Sequence, residues 1–149
     1  MKGIYTLVIR AAHDLEIRTK GRLFILTRGH YLYVGSAMGP HRRSLEMRIA
    51  RHLKRHKKNF WHIDYLLKSK NVTIQKVIYA ETRKKLECDV ASNLKKLLKN
   101  TVPIKGFGSS DCKCGAHLYR TKNMAPKDML NSLARAYRSL NLNPQLYRF

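Results

Sequence analysis

Residues 3–35 read GIYTLVIRAAHDLEIRTKGRLFILTRGHYLYVG, and the pattern in this stretch decides the fold class. Residues 3–10 combine Ile4, Leu7, Val8 and Ile9 with frequent β-branching, as a buried strand does. Residues 15–19 (LEIRT) and 22–26 (RLFIL) flank Lys20-Gly21, the signature of a tight hairpin. Residues 30–34 (HYLYV) form a further strand. Side chains alternate across a strand, so Tyr31 and Tyr33 share one face and Leu32 and Val34 the other. Gly35 is expected to end it.

Further along, Ser36 to Ser44 carries Gly39, Pro40 and basic residues, and reads as a loop. Leu45, Ile49 and Leu53 recur every four residues, which predicts a helix over 45–56. Arg48, Arg51, His52 and Arg55 form a neighbouring basic ridge, and residues 54–58 (KRHKK) prolong the charge. Residues 60–68 suggest a short helix or an irregular buried segment, and 72–79 a strand. A second long helix is predicted over 84–99, burying Leu86, Val90, Leu94, Leu97 and Leu98. Residues 103–118 look loop-like. Residues 126–140 form a weakly amphipathic helix, with a loose end beyond Pro144. The expected architecture is α+β: a small, mostly antiparallel sheet flanked by helices, with an extra hairpin. Residues 1–120 would form the domain and residues 121–149 a C-terminal helical extension.

Composition narrows the function. The chain has 149 residues, 31 Lys and Arg against nine Asp and Glu, and a net charge of +22. Such a surface attracts polyanions, nucleic acid above all. An anionic membrane is a poorer match, because no basic helix with an aromatic insertion face and no lipidation signal is visible. No apolar run approaches a membrane span, and the short run Ile4–Ile9 is no signal peptide. Three cysteines, an odd number, argue against a secreted disulfide scaffold. A cytoplasmic protein is expected.

Gly3-Ile4-Tyr5 and Tyr33-Val34-Gly35 resemble the two halves of the GIY-YIG nuclease signature. The residues downstream keep the order of that signature. Arg48 lies on the helix after the second half, His52 comes one turn later, and Glu87 opens the second long helix. The strings YLYVGSA, RIARHLKRHKKNFWHIDYLL and GFGSSDCKCGAHL resemble a small archaeal-type group of stand-alone, Uri-type GIY-YIG endonuclease domains. The likeness spans about residues 3 to 119. It departs from the pattern where the 15–26 hairpin is inserted between the halves, and where no counterpart of a later asparagine is clear.

The resemblance implies a metal-dependent DNA endonuclease with weak sequence specificity or a preference for DNA structure. Glu87 would hold one Mg²⁺ or Mn²⁺, since one carboxylate plus waters and phosphate oxygens makes a normal shell. Arg48 would clamp the scissile phosphate through its planar fork. Tyr5 or Tyr33 would orient or deprotonate the attacking water, and His52 would add a hydrogen bond or proton relay. Arg51, Arg55, His56, Lys57 and Lys58 would contact the nucleic-acid backbone, giving affinity with little base readout. Glu87 is informative in itself, because it falls inside the apolar arc of its helix, where a bare carboxylate is costly to bury.

Other readings stand beside these. A non-catalytic DNA- or RNA-binding protein could retain the same fold. Cys112, Cys114 and His117, with Cys88 or Asp111, make an incomplete zinc pattern, so zinc is not expected. Asp111 and His117 would instead support the site from behind. Trp61 and His62 could stack a base, although a core role suits Trp61 better.

Overall fold

The computed structural model describes residues 1–108, 116–122 and 124–149. The chain is α+β. Strands β1 (Gly3–Ala11), β4 (Gly29–Ala37), β5 (Val72–Glu81), β6 (Thr101–Pro103), β7 (Leu118–Thr121) and β8 (Gln145–Leu146) form one antiparallel sheet in the order β6-β7-β4-β1-β5-β8. Strands β2 (Leu15–Thr19) and β3 (Arg22–Leu26) form a separate hairpin. The helices are α1 (Leu45–Leu53), α2 (His62–Leu67), α3 (Glu87–Leu97) and α4 (Pro126–Arg138), with one 3-10 turn at His41–Arg43.

The sheet is covered on both sides, and strand alternation sorts its residues into two cores. On one side Tyr5, Leu7, Ile9, Tyr31 and Tyr33 pack against α1, α2 and the hairpin. On the other, Ile4, Val8, Leu32 and Val34 pack against α3 and α4. Tyr31 and Tyr33 thus share a face opposite Leu32 and Val34, as the alternation predicts. β4 does not stop at Gly35 but runs to Ala37, because β1 continues beside it as far as Gly3.

Three boundaries differ from the sequence reading. α1 ends at Leu53 rather than near residue 56, since Lys57 Nζ donates to the carbonyls of His52 and Lys54 and closes the helix end. α3 starts at Glu87 rather than Lys84, because Thr82 Oγ1 accepts from the Lys84 amide and holds residues 82–84 in a turn. It ends at Leu97, which stays exposed while Leu98 turns into the core. The 103–118 region contains the edge of β6 and the start of β7, which pairs with β4.

The segment 121–149, expected as a helical extension, shares the second core. Met129, Leu133, Ala136 and Tyr137 of α4 are fully buried there. The Tyr137 hydroxyl is hydrogen-bonded to Thr6 Oγ1 at 2.7 Å, beneath the sheet. The end beyond Pro144 is tied down too: β8 pairs with Ile78 and Tyr79, and the Tyr147 amide donates to the Val77 carbonyl.

Two glycines are fixed by close approach. A Cβ on Gly3 would collide with the backbone carbonyl of Ala80 on β5 and with Leu45 of α1. A Cβ on Gly35 would overlap the phenol ring of Tyr5, which lies across the backbone of the neighbouring strand. Gly35→Ala should therefore displace the Tyr5 ring and destabilise the chain by about 1–3 kcal/mol, as overpacking does. In urea unfolding, the double variant Tyr5→Leu/Gly35→Ala should cost less than the sum of its single substitutions. Strict additivity would show that the contact is not the reason for the glycine.

Candidate functional site

Adjacent antiparallel strands set the first two site residues. The register pairs Tyr5 with Gly35 and Leu7 with Tyr33, so both tyrosines stand on the same sheet face, on neighbouring strands. α1 crosses that face. Its N-terminus is capped by Ser44, whose hydroxyl accepts from the Met47 amide, and Leu45 and Ile49 anchor it. Arg48 and His52, four apart, then project toward the tyrosines. Glu87, the first residue of α3, enters from the far end. Tyr5, Tyr33, Gly35, Ser36, Arg48, Trp61, Glu87, Gly108 and His117 line one cleft of about 120 Å³.

Within the cleft the polar groups are unevenly satisfied. Arg48 Nη1 donates to the Ser36 carbonyl at 2.7 Å, while its buried Nε has no partner among the described residues. The guanidinium carbon lies 4.8 Å from the Trp61 ring centre, a cation–π contact. Glu87 Oε2 is buried and has no hydrogen-bond partner among the described residues. A carboxylate oxygen in that state is an open acceptor, and a hard cation is the ligand that fits it. The described residues contain no group of three or more His, Cys, Asp or Glu that could hold a metal, and Glu87 is the carboxylate that lines the cleft, with His117 beside it.

His52 does not sit on the exposed basic ridge. It is 2% exposed, and its Nε2 is hydrogen-bonded to the Tyr5 hydroxyl at 2.7 Å. Its ring lies near those of Tyr33 and Trp61. Burial pushes its pKa down to about 3, Asp64 opposing, so the imidazole is neutral at physiological pH. Burial also raises both phenols, Tyr5 with help from Tyr33, while Arg48 pulls each the other way. Without a further positive charge, both tyrosines hold their protons.

Arg51 has a structural task. Its Nη1 and Nη2 donate to Asp64 Oδ1 and Oδ2 at 2.8 and 2.9 Å, and Nη2 also reaches the Lys58 carbonyl. Asp64 is fully buried, and its Oδ2 also accepts from the amides of Phe60 and Trp61. These bonds hold the carboxyl below the usual carboxylate range despite burial. Arg51 additionally lies 4.5 Å from the Trp61 ring centre. Lys57, which closes the end of α1, is half-buried. Arg55, His56 and Lys58 remain exposed and available to a polyanion.

The remaining candidates divide. His117 is buried at the cleft wall, with Nε2 3.7 Å from Cys88 Sγ, and burial lowers its pKa against the pull of Glu87. Asp111, Cys112 and Cys114 lie outside the described residues. His62 is not positioned to stack a base: its Nδ1 accepts from the Gly108 amide at 3.0 Å, and its ring packs on Phe24 and Phe107. Trp61 forms part of the cleft wall. Sequence reasoning missed Asp64, Ser36 and Gly108. Asp64 had a signal, a lone acid inside the apolar run FWHIDYLL.

The buried His52 and Asp64 make stability depend on pH and on Arg51. The folded pKa of His52 lies below its unfolded value of about 6.5. Below that pH the unfolded chain gains a proton that the folded chain refuses, so stability falls as pH drops from about 6.5 toward 3. Urea unfolding of the wild type should lose up to about 1.4 kcal/mol per pH unit more than His52→Gln between pH 6 and 4.5. Equal slopes would mean that His52 titrates normally. Arg51→Met should cost about 2–3 kcal/mol of stability by stranding the Asp64 charge. If it is as stable as wild type and merely binds polyanions less well, Arg51 is a surface contact.

Residues 4–142 match the family described as Domain of unknown function DUF123, and the chain belongs to this family. No curated protein and no solved structure matches it.

Proposed function

We propose that the chain is a divalent-metal-dependent phosphodiester hydrolase of the GIY-YIG type, acting on DNA. The observation that carries this reading is the open acceptor Glu87 Oε2 in the same cleft as Tyr5, Tyr33 and Arg48. The residues at the cleft fit one Mg²⁺ or Mn²⁺, held by Glu87 with waters and phosphate oxygens completing the shell. Such an ion would polarise the phosphate and lower the pKa of nearby hydroxyls.

The chain's own groups would do the rest. Arg48, fixed by the Ser36 carbonyl and the Trp61 ring, would offer its guanidinium to a phosphate oxygen. With its hydroxyl held by His52 Nε2, Tyr5 would reach the phenolate form only under the charge of the bound ion, and its oxygen would then take a proton from the attacking water. No hydrogen-bond partner of this kind holds the Tyr33 hydroxyl among the described residues, which suits it to orienting water or phosphate. Water oxygen would bond to phosphorus as the bond to the leaving sugar oxygen breaks, and that oxygen would take up a proton from a solvent water. The net charge of +22, with Arg55, His56 and Lys58 exposed beyond α1, supports a polyanionic substrate. No helix among the described residues is long and apolar enough to cross a membrane.

The test is cleavage of labelled duplex, single-stranded, flap and four-way-junction DNA with Mg²⁺ or Mn²⁺, with RNA as a control. Wild type should cut, and Glu87→Gln and Arg48→Ala should each lose at least about 100-fold in rate, as loss of a transition-state contact does. Binding without cutting on every substrate would favour a nucleic-acid-binding module instead. Undiminished cutting by Glu87→Gln would remove the proposed metal site.

A further inference from the structure

Phe60 is 77% exposed, the most exposed of the large apolar side chains on the described surface. An isolated exposed aromatic needs no explanation by itself. Three features set this one apart. Its backbone is pinned, with its amide donating to the buried Asp64 carboxylate at 2.9 Å. Its ring packs perpendicular to that of Trp61, centroids 5.2 Å apart with the planes at 89°. Trp61 in turn forms the cleft wall under two guanidinium groups. The exposed ring of Phe60 therefore stands beside the Trp61 wall of the cleft, just after the basic run of residues 54–58.

Water is a poor partner for that ring, and phosphate cannot use it. A nucleobase can, because every base offers a π surface and stacking tolerates any sequence. In an intact duplex the bases stack on one another and leave only edges and backbone to the protein. We infer that Phe60 is a stacking platform for an unpaired base, which selects single-stranded, frayed or flapped nucleic acid beside the cleft. The basic run supplies the charge complementarity that brings a strand there, and the pinned backbone fixes where the ring is presented.

This deepens the nuclease reading and rests on its nucleic-acid half, not on cleavage. The test is accordingly equilibrium binding in EDTA, by fluorescence anisotropy of labelled oligo-dT and of a duplex of equal length. Phe60→Ala should weaken oligo-dT binding roughly tenfold and leave the duplex unchanged. Phe60→Trp should restore the preference. The slope of log affinity against log salt should be the same in all three proteins, because no phosphate contact is removed. Trp61, the only tryptophan, reports through its emission whether Phe60→Ala keeps the local fold. Unchanged oligo-dT binding by Phe60→Ala, or equal losses on both ligands, would overturn the platform while leaving the hydrolase reading intact. Failure of the wild type to bind either ligand would also overturn the platform, and the cleavage assay with metal decides the hydrolase reading separately.

Discussion

The Asp64 carboxylate organises one whole side of the molecule. It is fully buried, and it gathers four hydrogen bonds: two from the fork of Arg51 on α1 and two from the amides of Phe60 and Trp61 ahead of α2. A charge so placed is tolerated only while every partner stays. It therefore fixes the distance between α1 and α2 and the path of the segment joining them. From that path comes the position of Trp61, from Trp61 the seat of Arg48, and from Arg48 the shape of the cleft over the two tyrosines. The acid is far from the open carboxylate of Glu87 in role: one is saturated, the other is left with an empty acceptor.

Most of the sheet was legible because strands and hairpins are written locally. Lys20-Gly21 between two apolar runs, and the alternation through Tyr31, Leu32, Tyr33 and Val34, need no distant residue to be read. The parts that escaped are those decided by distant partners. β7 is four residues long and exists because β4 offers it an edge. β8 has two exposed residues with no strand pattern, held by β5. α4 reads as weakly amphipathic, yet its apolar residues fill the second core because the back of β1 and β5 would otherwise be bare. A tyrosine hydroxyl buried against Thr6 cannot be foreseen from either residue alone.

The site divides in the same way. Of the residues named from the family resemblance, Tyr5, Tyr33, Arg48 and Glu87 line one cleft, and His52 lies behind it against Tyr5. The resemblance did not tell the jobs of neighbouring cations apart. Arg48 and Arg51 lie one turn apart on a helix and look alike in sequence, but one faces an open cleft and the other a buried carboxylate. His52, read as part of a basic ridge, is a neutral buried imidazole, because at the close of α1 the helix face turns under Trp61 and against Tyr5. Charge type is a property of the residue. Charge state and availability belong to its surroundings, and those are three-dimensional.

The two-faced burial of β1 and β4 has a consequence for how this chain can change length over evolutionary time. One face of each strand carries phenols toward the cleft, and the other carries aliphatic side chains toward α3 and α4. Because the side-chain period is two, inserting or deleting a single residue before Tyr5 or Tyr33 would turn phenols into the aliphatic core and aliphatics into the cleft. The strands of the hairpin between them keep the same parity, with Ile17, Phe24 and Leu26 buried in the first core, but its tip does not. The hairpin forms its own two-stranded sheet, and Lys20 and Gly21 at its tip are exposed with open space around the glycine. Descendants of this chain are free to lengthen or shorten there, whereas the two strands it connects can only be copied at fixed count.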